Sequence, residues 1–343
     1  MARTKCVHKY EHIISIENLL FAWKEFLRGK KMRKDVLEFE QNLMGNIFSL
    51  HKDLLEKKYT HSDYHAFNIS DPKPRSIHKA SVRDRLLHHA IYRVLYRYFD
   101  QKFIYDSYSC RLDKGTHKAM ERFRSFARKV SKNNTRTCWV LKCDIRKFFA
   151  NIDHTVLKSI LAKYLQDRDL LWLLDQIIDS FHAYHTGKTY VVGLPLGNLT
   201  SQLLVNIFMN EFDQYMKHSL KTKYYIRYAD DFVIMSEDKK YLENLLPQIS
   251  DFLKNKLKLE LHPDKVFTKT LFSGVDFLGW VHFPTHQVLR GATKRRMWKR
   301  LTETGKEETR TSYLGMLSHG DAYGLRKLVQ GLALYSHRSD LWG

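Results

Sequence analysis

Apolar positions at helical spacing open the chain. Val36, Leu43, Ile47, Leu50 and Leu54 recur at steps of three, four and seven, which predicts a helix over 33–58 behind a first helix over 11–29. A longer run over 82–99, with Leu86, Leu87, Ala90, Ile91, Val94 and Leu95 on one side, predicts a third. The pattern then changes. Short, largely apolar runs at 138–143, 225–227 and 232–235 read as core strands, and helical patterns return over 154–182, 199–216 and 239–257. A further strand is expected at 189–192, and three helices close the chain, a basic one from Arg290 and two more over 313–317 and 325–335. Strands interleaved with helices in this way predict an α+β protein.

Carboxylates stand where the strands end. Tyr228-Ala229-Asp230-Asp231 joins two of the apolar runs, so it reads as a strand, a tight turn and a second strand with acids at the tip. Adjacent carboxylates repel unless a cation sits beside them, and a dication with oxygen ligands is the usual compensation. An acidic hairpin alone is more often a solvated turn. Here a second acid, Asp144, ends the strand at 138–143, and acids from two strands can converge on a pair of metals that promote in-line phosphoryl transfer.

Three segments carry a resemblance. Asp144 with an aromatic five residues on at Phe149, the stretch Gly193-Leu194-Pro195-Leu196-Gly197-Asn198-Leu199-Thr200-Ser201-Gln202, and the Tyr228-Ala229-Asp230-Asp231 hairpin resemble, in order and spacing, the palm motifs of reverse transcriptases. The resemblance implies a right-hand polymerase with fingers, palm and a small helical thumb, preceded by an N-terminal helical extension. The expected boundaries are 1–70 for the extension, 71–136 for fingers and 137–285 for palm, with finger helices inserted near 154–190, and 286–343 for thumb.

The family's roles carry over residue by residue. Asp144, Asp230 and Asp231 match the catalytic carboxylates and, with the Ile145 carbonyl, would hold two Mg²⁺ ions, for which Mn²⁺ is a substitute. Phe149 matches the ring that excludes a 2′-hydroxyl; without the resemblance it is a core phenylalanine, a role that suits Phe148 better. Lys73 and Arg75 match the basic loop that closes over the incoming nucleotide. Arg111 matches a position facing nucleotide or template backbone, where a guanidinium forks onto phosphate, although a surface arginine would look the same. Lys265 either protonates the leaving pyrophosphate or neutralises it. Phe277-Leu278-Gly279-Trp280 resembles the primer grip.

One position narrows the subclass. Most reverse transcriptases carry glutamine where this chain has Leu196 and proline where it has Gln202, whereas Leu196-Gly197-Asn198-Leu199-Thr200-Ser201-Gln202 resembles diversity-generating retroelement reverse transcriptases. That resemblance implies cDNA synthesis with errors at template adenines, a structured non-coding RNA, and a small basic accessory protein oligomer as partner. A related enzyme of phage defence or a short group II intron maturase are the alternatives.

Charge agrees with a polyanionic partner. The chain has 343 residues, 58 Lys and Arg against 37 Asp and Glu, and a net charge of +21. Residues 71–136 hold 17 of the cations and 6 of the acids, which makes nucleic acid and triphosphate the natural partners there; the resemblance implies that these are an RNA template, a DNA or RNA primer and deoxynucleoside triphosphates. Cys6, Cys110, Cys138 and Cys143 form no metal-binding pair, and neither a signal-peptide core nor an apolar stretch near the ~20 residues of a membrane span appears. The expectation is a cytoplasmic protein with reduced thiols and no membrane contact.

Overall fold

The structure is a computed structural model that describes residues 9–70, 74–183, 192–304 and 306–336. Four helices replace the two expected at the start: α1 (Tyr10–Ile14), α2 (Ile16–Phe26), α3 (Lys34–Glu40) and α4 (Leu43–Leu55). Ser15 makes the first break, because its hydroxyl accepts from the Asn18 amide at 3.2 Å and so caps α2. A strand pair follows, β1 (His65–Ile69) with β2 (Arg75–Lys79), and then α5 (Val82–Asp100), which the Ser81 side chain caps. The boundary expected at 70/71 therefore falls inside a hairpin. Nor is the N-terminal segment an appendage: Ile13, Leu19, Phe26, Ile47 and Leu54 share one buried cluster with α5 and with residues as distant as Leu259.

The amphipathic helix α6 (Thr116–Val130) carries Ala119, Met120, Phe123, Phe126 and Val130 on its buried face. Its lysines and arginines hide that periodicity when the segment is read by charge. Behind it β3 (Trp139–Asp144), β4 (Tyr225–Tyr228), β5 (Asp231–Ser236) and β6 (Phe267–Thr270) form an antiparallel sheet in the order β4-β5-β3-β6. Alternation along the strands sends Leu141, Cys143, Tyr225, Phe232 and Ile234 into the large cluster, and Val140, Ile226, Val233 and Met235 against α6. Both faces are covered. That is why these strands read as largely apolar runs with no polar alternation.

Helices α7 (His154–Tyr164), α8 (Arg168–Asp179), α9 (Leu199–Gln214) and α10 (Lys239–Leu257) pack around the sheet. Asp167 separates α7 from α8 by accepting from the amides of Asp169 and Leu170. Of the strand expected at 189–192, residues 189–191 lie outside the described residues, and Val192 bridges Asp153.

A second sheet, β7 (Val275–Phe277), β8 (Trp280–His282) and β9 (Gln287–Leu289), leads to α11 (Gly291–Thr304), α12 (Glu307–Leu317) and α13 (Tyr323–Ser336). Here too the expected boundary, at 285/286, falls between paired strands, β8 and β9. The last helices dock through Trp280, Leu289, Met297, Leu317 and Val329, with Met120 of α6 in the same cluster. Gly320 is required by this docking, since a Cβ there would lie 2.0 Å from the Trp280 ring. Cys138 and Cys143 are buried free thiols on or beside β3. No helix among the described residues is long and apolar enough to cross a membrane.

Candidate active site

Register decides where the acids meet. Asp144 at the end of β3 pairs directly with Asp231 at the start of β5, and Tyr228 pairs with Asp231 across the turn made by Ala229 and Asp230. Ala229 takes a left-handed φ of +55°, and the Asp230 carbonyl accepts from the Ile145 amide at 3.1 Å. The three carboxylates and the Ile145 backbone thus share one end of the central sheet.

Burial dominates the electrostatics of Asp230 and Asp231. Burial pushes the Asp231 carboxyl up to about 7 even though Lys142 lies 3.3 Å from its Oδ2, and its Oδ1 is buried without a partner. Burial, and after it the charge of Asp144, raises Asp230 as well. Lys265 donates to Asp144 Oδ1 at 2.9 Å, and Arg75 on β2 exerts an opposing pull on Asp230. Among the described residues no three acidic, histidine or cysteine side chains are gathered into a metal cage as they stand. The orphaned Oδ1 of Asp231, next to Asp230 in a site where burial opposes ionisation of both, nevertheless fits a bound dication.

The side of the site toward β2 is stitched by backbone. His78 of β2 donates its amide to the Leu196 carbonyl at 3.0 Å, and Asn198 returns a bond from Nδ2 to the His78 carbonyl at 2.8 Å. Gly197, at φ +106°, lies so close to Ile77 that a Cβ would meet its Cγ2 at 2.9 Å. The Leu194 amide donates to the Phe149 carbonyl at 2.8 Å, which joins this loop to the 3₁₀ turn carrying Phe149. Phe149 is half-buried and Phe148 is buried beneath it, edge to face at 5.6 Å. Gln202 is half-buried one turn into α9.

Other expected residues lie elsewhere. Lys73 is outside the described residues. Arg111 is turned inward: Nε donates to Asp100 Oδ1 at 2.7 Å, and Nη1 donates to the carbonyls of Ile104 and Ser107 at 2.7 and 2.9 Å. The structure therefore does not bring its guanidinium to the nucleotide group. Phe277, Leu278, Gly279 and Trp280 form the β7–β8 turn, with Leu278 and Gly279 both at positive φ and both aromatic rings buried.

Beneath the acidic turn lies a network that sequence reasoning passed over. Arg227, fully buried on β4, donates from Nε and Nη2 to the two oxygens of Asp213 on α9, at 2.8 and 2.7 Å. Its Nη1 donates to the Ala229 carbonyl at 3.1 Å and to Asn206 Oδ1 at 3.4 Å, and its Nη2 also reaches Ser107 Oγ at 3.1 Å. All five guanidinium protons are used. Tyr225 donates to Asp213 Oδ1 at 2.7 Å. The available signal was one charge inside each of two apolar runs, Tyr225-Ile226-Arg227 and Phe212-Asp213.

A central antiparallel sheet that presents acids at one end, with a hairpin and helices folded over it, defines a polymerase palm and fingers. A family model described as reverse transcriptase (RNA-dependent DNA polymerase) matches residues 68–316, and the chain belongs to that family. Protein YkfC of Escherichia coli (strain K12) is 26% identical over 243 residues, covering 61% of this chain and 63% of that protein. The group II intron-encoded protein LtrA of Lactococcus lactis subsp. cremoris is 23% identical over 274 residues, covering 61% of this chain and 44% of its own length. The chain thus spans less than two thirds of either relative.

Proposed function

We propose that this protein is an RNA-directed DNA polymerase that copies an RNA template into cDNA, with a nucleotide pocket held loosely at Leu196. The observation that carries the polymerase reading is the register that makes Asp144 and Asp231 cross-strand partners, with Asp230 in the adjoining turn. Asp144, Asp230 and Asp231, with the Ile145 carbonyl, would hold two Mg²⁺ ions, and Mn²⁺ would substitute. Such ions, when bound, activate a primer 3′-hydroxyl and neutralise the leaving pyrophosphate.

The chain's own groups do the positioning. Arg75 at the start of β2, and Lys73 two positions before it in the sequence, would face the triphosphate, and Lys265 would leave Asp144 to give the pyrophosphate charge or a proton. Phe149 would sit under the sugar. The turn from Phe277 to Trp280 would hold the primer, and the C-terminal helices would act as a thumb on the template–primer duplex. The partners are a structured RNA, a primer, deoxynucleoside triphosphates and, in the diversity-generating subclass, a small basic accessory protein, all in a cytoplasmic setting.

The finer reading rests on Leu196. An aliphatic side chain offers the incoming nucleotide no hydrogen bond, so pairing geometry is checked less strictly. A second reading, an intron-type reverse transcriptase, is favoured by the name of the LtrA relative. Sequencing of cDNA made on a template containing all four bases separates them: the proposal expects errors concentrated opposite adenine and a several-fold reduction in Leu196→Gln, as a contact of about 1 kcal/mol implies. A flat, low error spectrum would remove the diversity-generating reading and favour the intron-type one.

A further inference from the structure

The far end of the central sheet holds a feature that the polymerase site does not use. A cavity of about 450 Å³ opens there, lined by Lys129 at the end of α6, Lys221 and Lys223 before β4, and the rings of Tyr224 and Tyr241. Its floor includes Ile234, Met235 and Ser236. Because β5 starts at Asp231 and ends at Ser236, the cavity lies about 17 Å along the strand from the acidic turn.

The charge there is not balanced internally. Lys129, Lys221 and Lys223 have no carboxylate partner among the described residues, whereas the two acids of the lining are engaged. Glu237 pairs with Arg136 at 2.8 Å, and Asp238 caps α10 by accepting from the Lys240 amide at 2.8 Å. The backbone that carries the lysines is fixed: the Thr222 amide and hydroxyl both donate to the Met216 carbonyl, at 2.9 and 2.6 Å, and Met235 donates to the Tyr224 carbonyl at 3.0 Å. Lys223 lies 5.4 Å from the centre of the Tyr224 ring, so cation and aromatic surface are presented together. Lysines without a carboxylate partner around half-buried tyrosine rings, in a cavity of nucleotide size, suit a base that stacks and a backbone that is neutralised.

We infer that this cavity is a second RNA site, which takes single-stranded nucleotides of the enzyme's RNA partner while template and primer occupy the polymerase cleft. The inference rests on the proposed function only in naming RNA as the partner. An acidic peptide would satisfy the lysines but would leave the tyrosine faces without a matching group.

The test uses the full chain saturated with a preannealed RNA-template/DNA-primer duplex. The probe is a short oligouridylate RNA with a central 4-thiouridine, photocrosslinked and mapped by mass spectrometry. Crosslinks are expected in the peptides that carry Tyr224 or Tyr241. Replacing Lys129, Lys221 and Lys223 together with alanine should weaken probe binding about tenfold or more and lower the slope of log affinity against log salt by about 2. Tyr241→Leu should weaken binding several-fold with the slope unchanged. If the triple variant fails to fold, the Lys221→Ala/Lys223→Ala pair is read in its place, with a slope change of a little over 1. Absence of crosslinks at this cavity, unchanged affinity in the lysine variants, or equal competition by polyglutamate would each overturn the inference. Extension of the duplex by the wild-type protein reports on the polymerase reading independently: extension without these crosslinks rejects the second site alone, and crosslinks without extension reject the polymerase alone.

Discussion

At the scale of single residues, Arg227 shows what holds the acidic turn in place. A buried cation is tolerable only with its partner, and breaking such a pair costs about 3–5 kcal/mol because the other charge is left stranded. Arg227→Met should therefore lower unfolding free energy by about that amount in urea titrations. Arg227→Met with Asp213→Leu should recover most of the stability. Primer extension should stay depressed in both, because the Ala229 carbonyl has lost its donor in each. Equal instability of the single and double variants would contradict the account. Phe149 offers a second test: Phe149→Val should admit ribonucleotides with deoxynucleotide use retained, and an unchanged sugar preference would make it a packing residue. The placement of Asp144, Asp230 and Asp231 at strand ends was legible in the sequence because each adjoins an apolar run. Arg227 and Asp213 were not, since only the packing of α9 on β4 joins two charges that look unrelated along the chain.

At the scale of elements, the long helices follow their periodicity closely; α5 and α10 lie where the apolar spacing puts them. What periodicity does not encode is the point of interruption, as at Ser15, where a side chain competes for the helix's own amides. The small sheets were missed for another reason. β1 and β2 are largely exposed strands whose pairing, rather than any apolar run, defines them. Histidines buried in two elements give the fold an acid limit. Burial holds His88 of α5 down at about 3 and His282 of β8 at about 4, and burial with the charge of Lys30 holds His89 of α5 at about 4. Each folded value lies below the ordinary 6.5, so the stability they contribute is complete above pH 6.5 and is lost as pH falls to about 4 for His89 and His282 and to about 3 for His88. His282→Leu keeps the packing on Phe123 apolar and should reduce proton uptake on unfolding at pH 5 by about one. An unchanged pH dependence in that variant would rule out His282 as a contributor.

At the scale of the whole molecule, one buried cluster runs from Tyr10 to Leu259, so the N-terminal helices, the fingers and one face of the palm form a common frame. The opposite palm face is closed by α6, and α6 also reaches the C-terminal helices through Met120. Composition points to a polyanionic partner. It did not anticipate that all three expected segment boundaries of the working parts would be bridged by shared strands or shared core. The chain carries a net charge of +21, and three of its acids meet at one end of the central sheet. Three half-buried acids at one sheet end of a basic molecule are what the proposed dication site needs to face a polyanion. The most direct measurement is extension of a DNA primer annealed to an RNA template, with Mg²⁺ and deoxynucleoside triphosphates, by the wild-type and Asp144→Asn proteins. The account predicts full-length cDNA from the wild type, none without Mg²⁺, and a loss of activity of at least about a thousandfold in Asp144→Asn with its thermal melt unchanged. Extension by Asp144→Asn at the wild-type rate, or a folded wild-type protein that extends no primer on RNA, would contradict it.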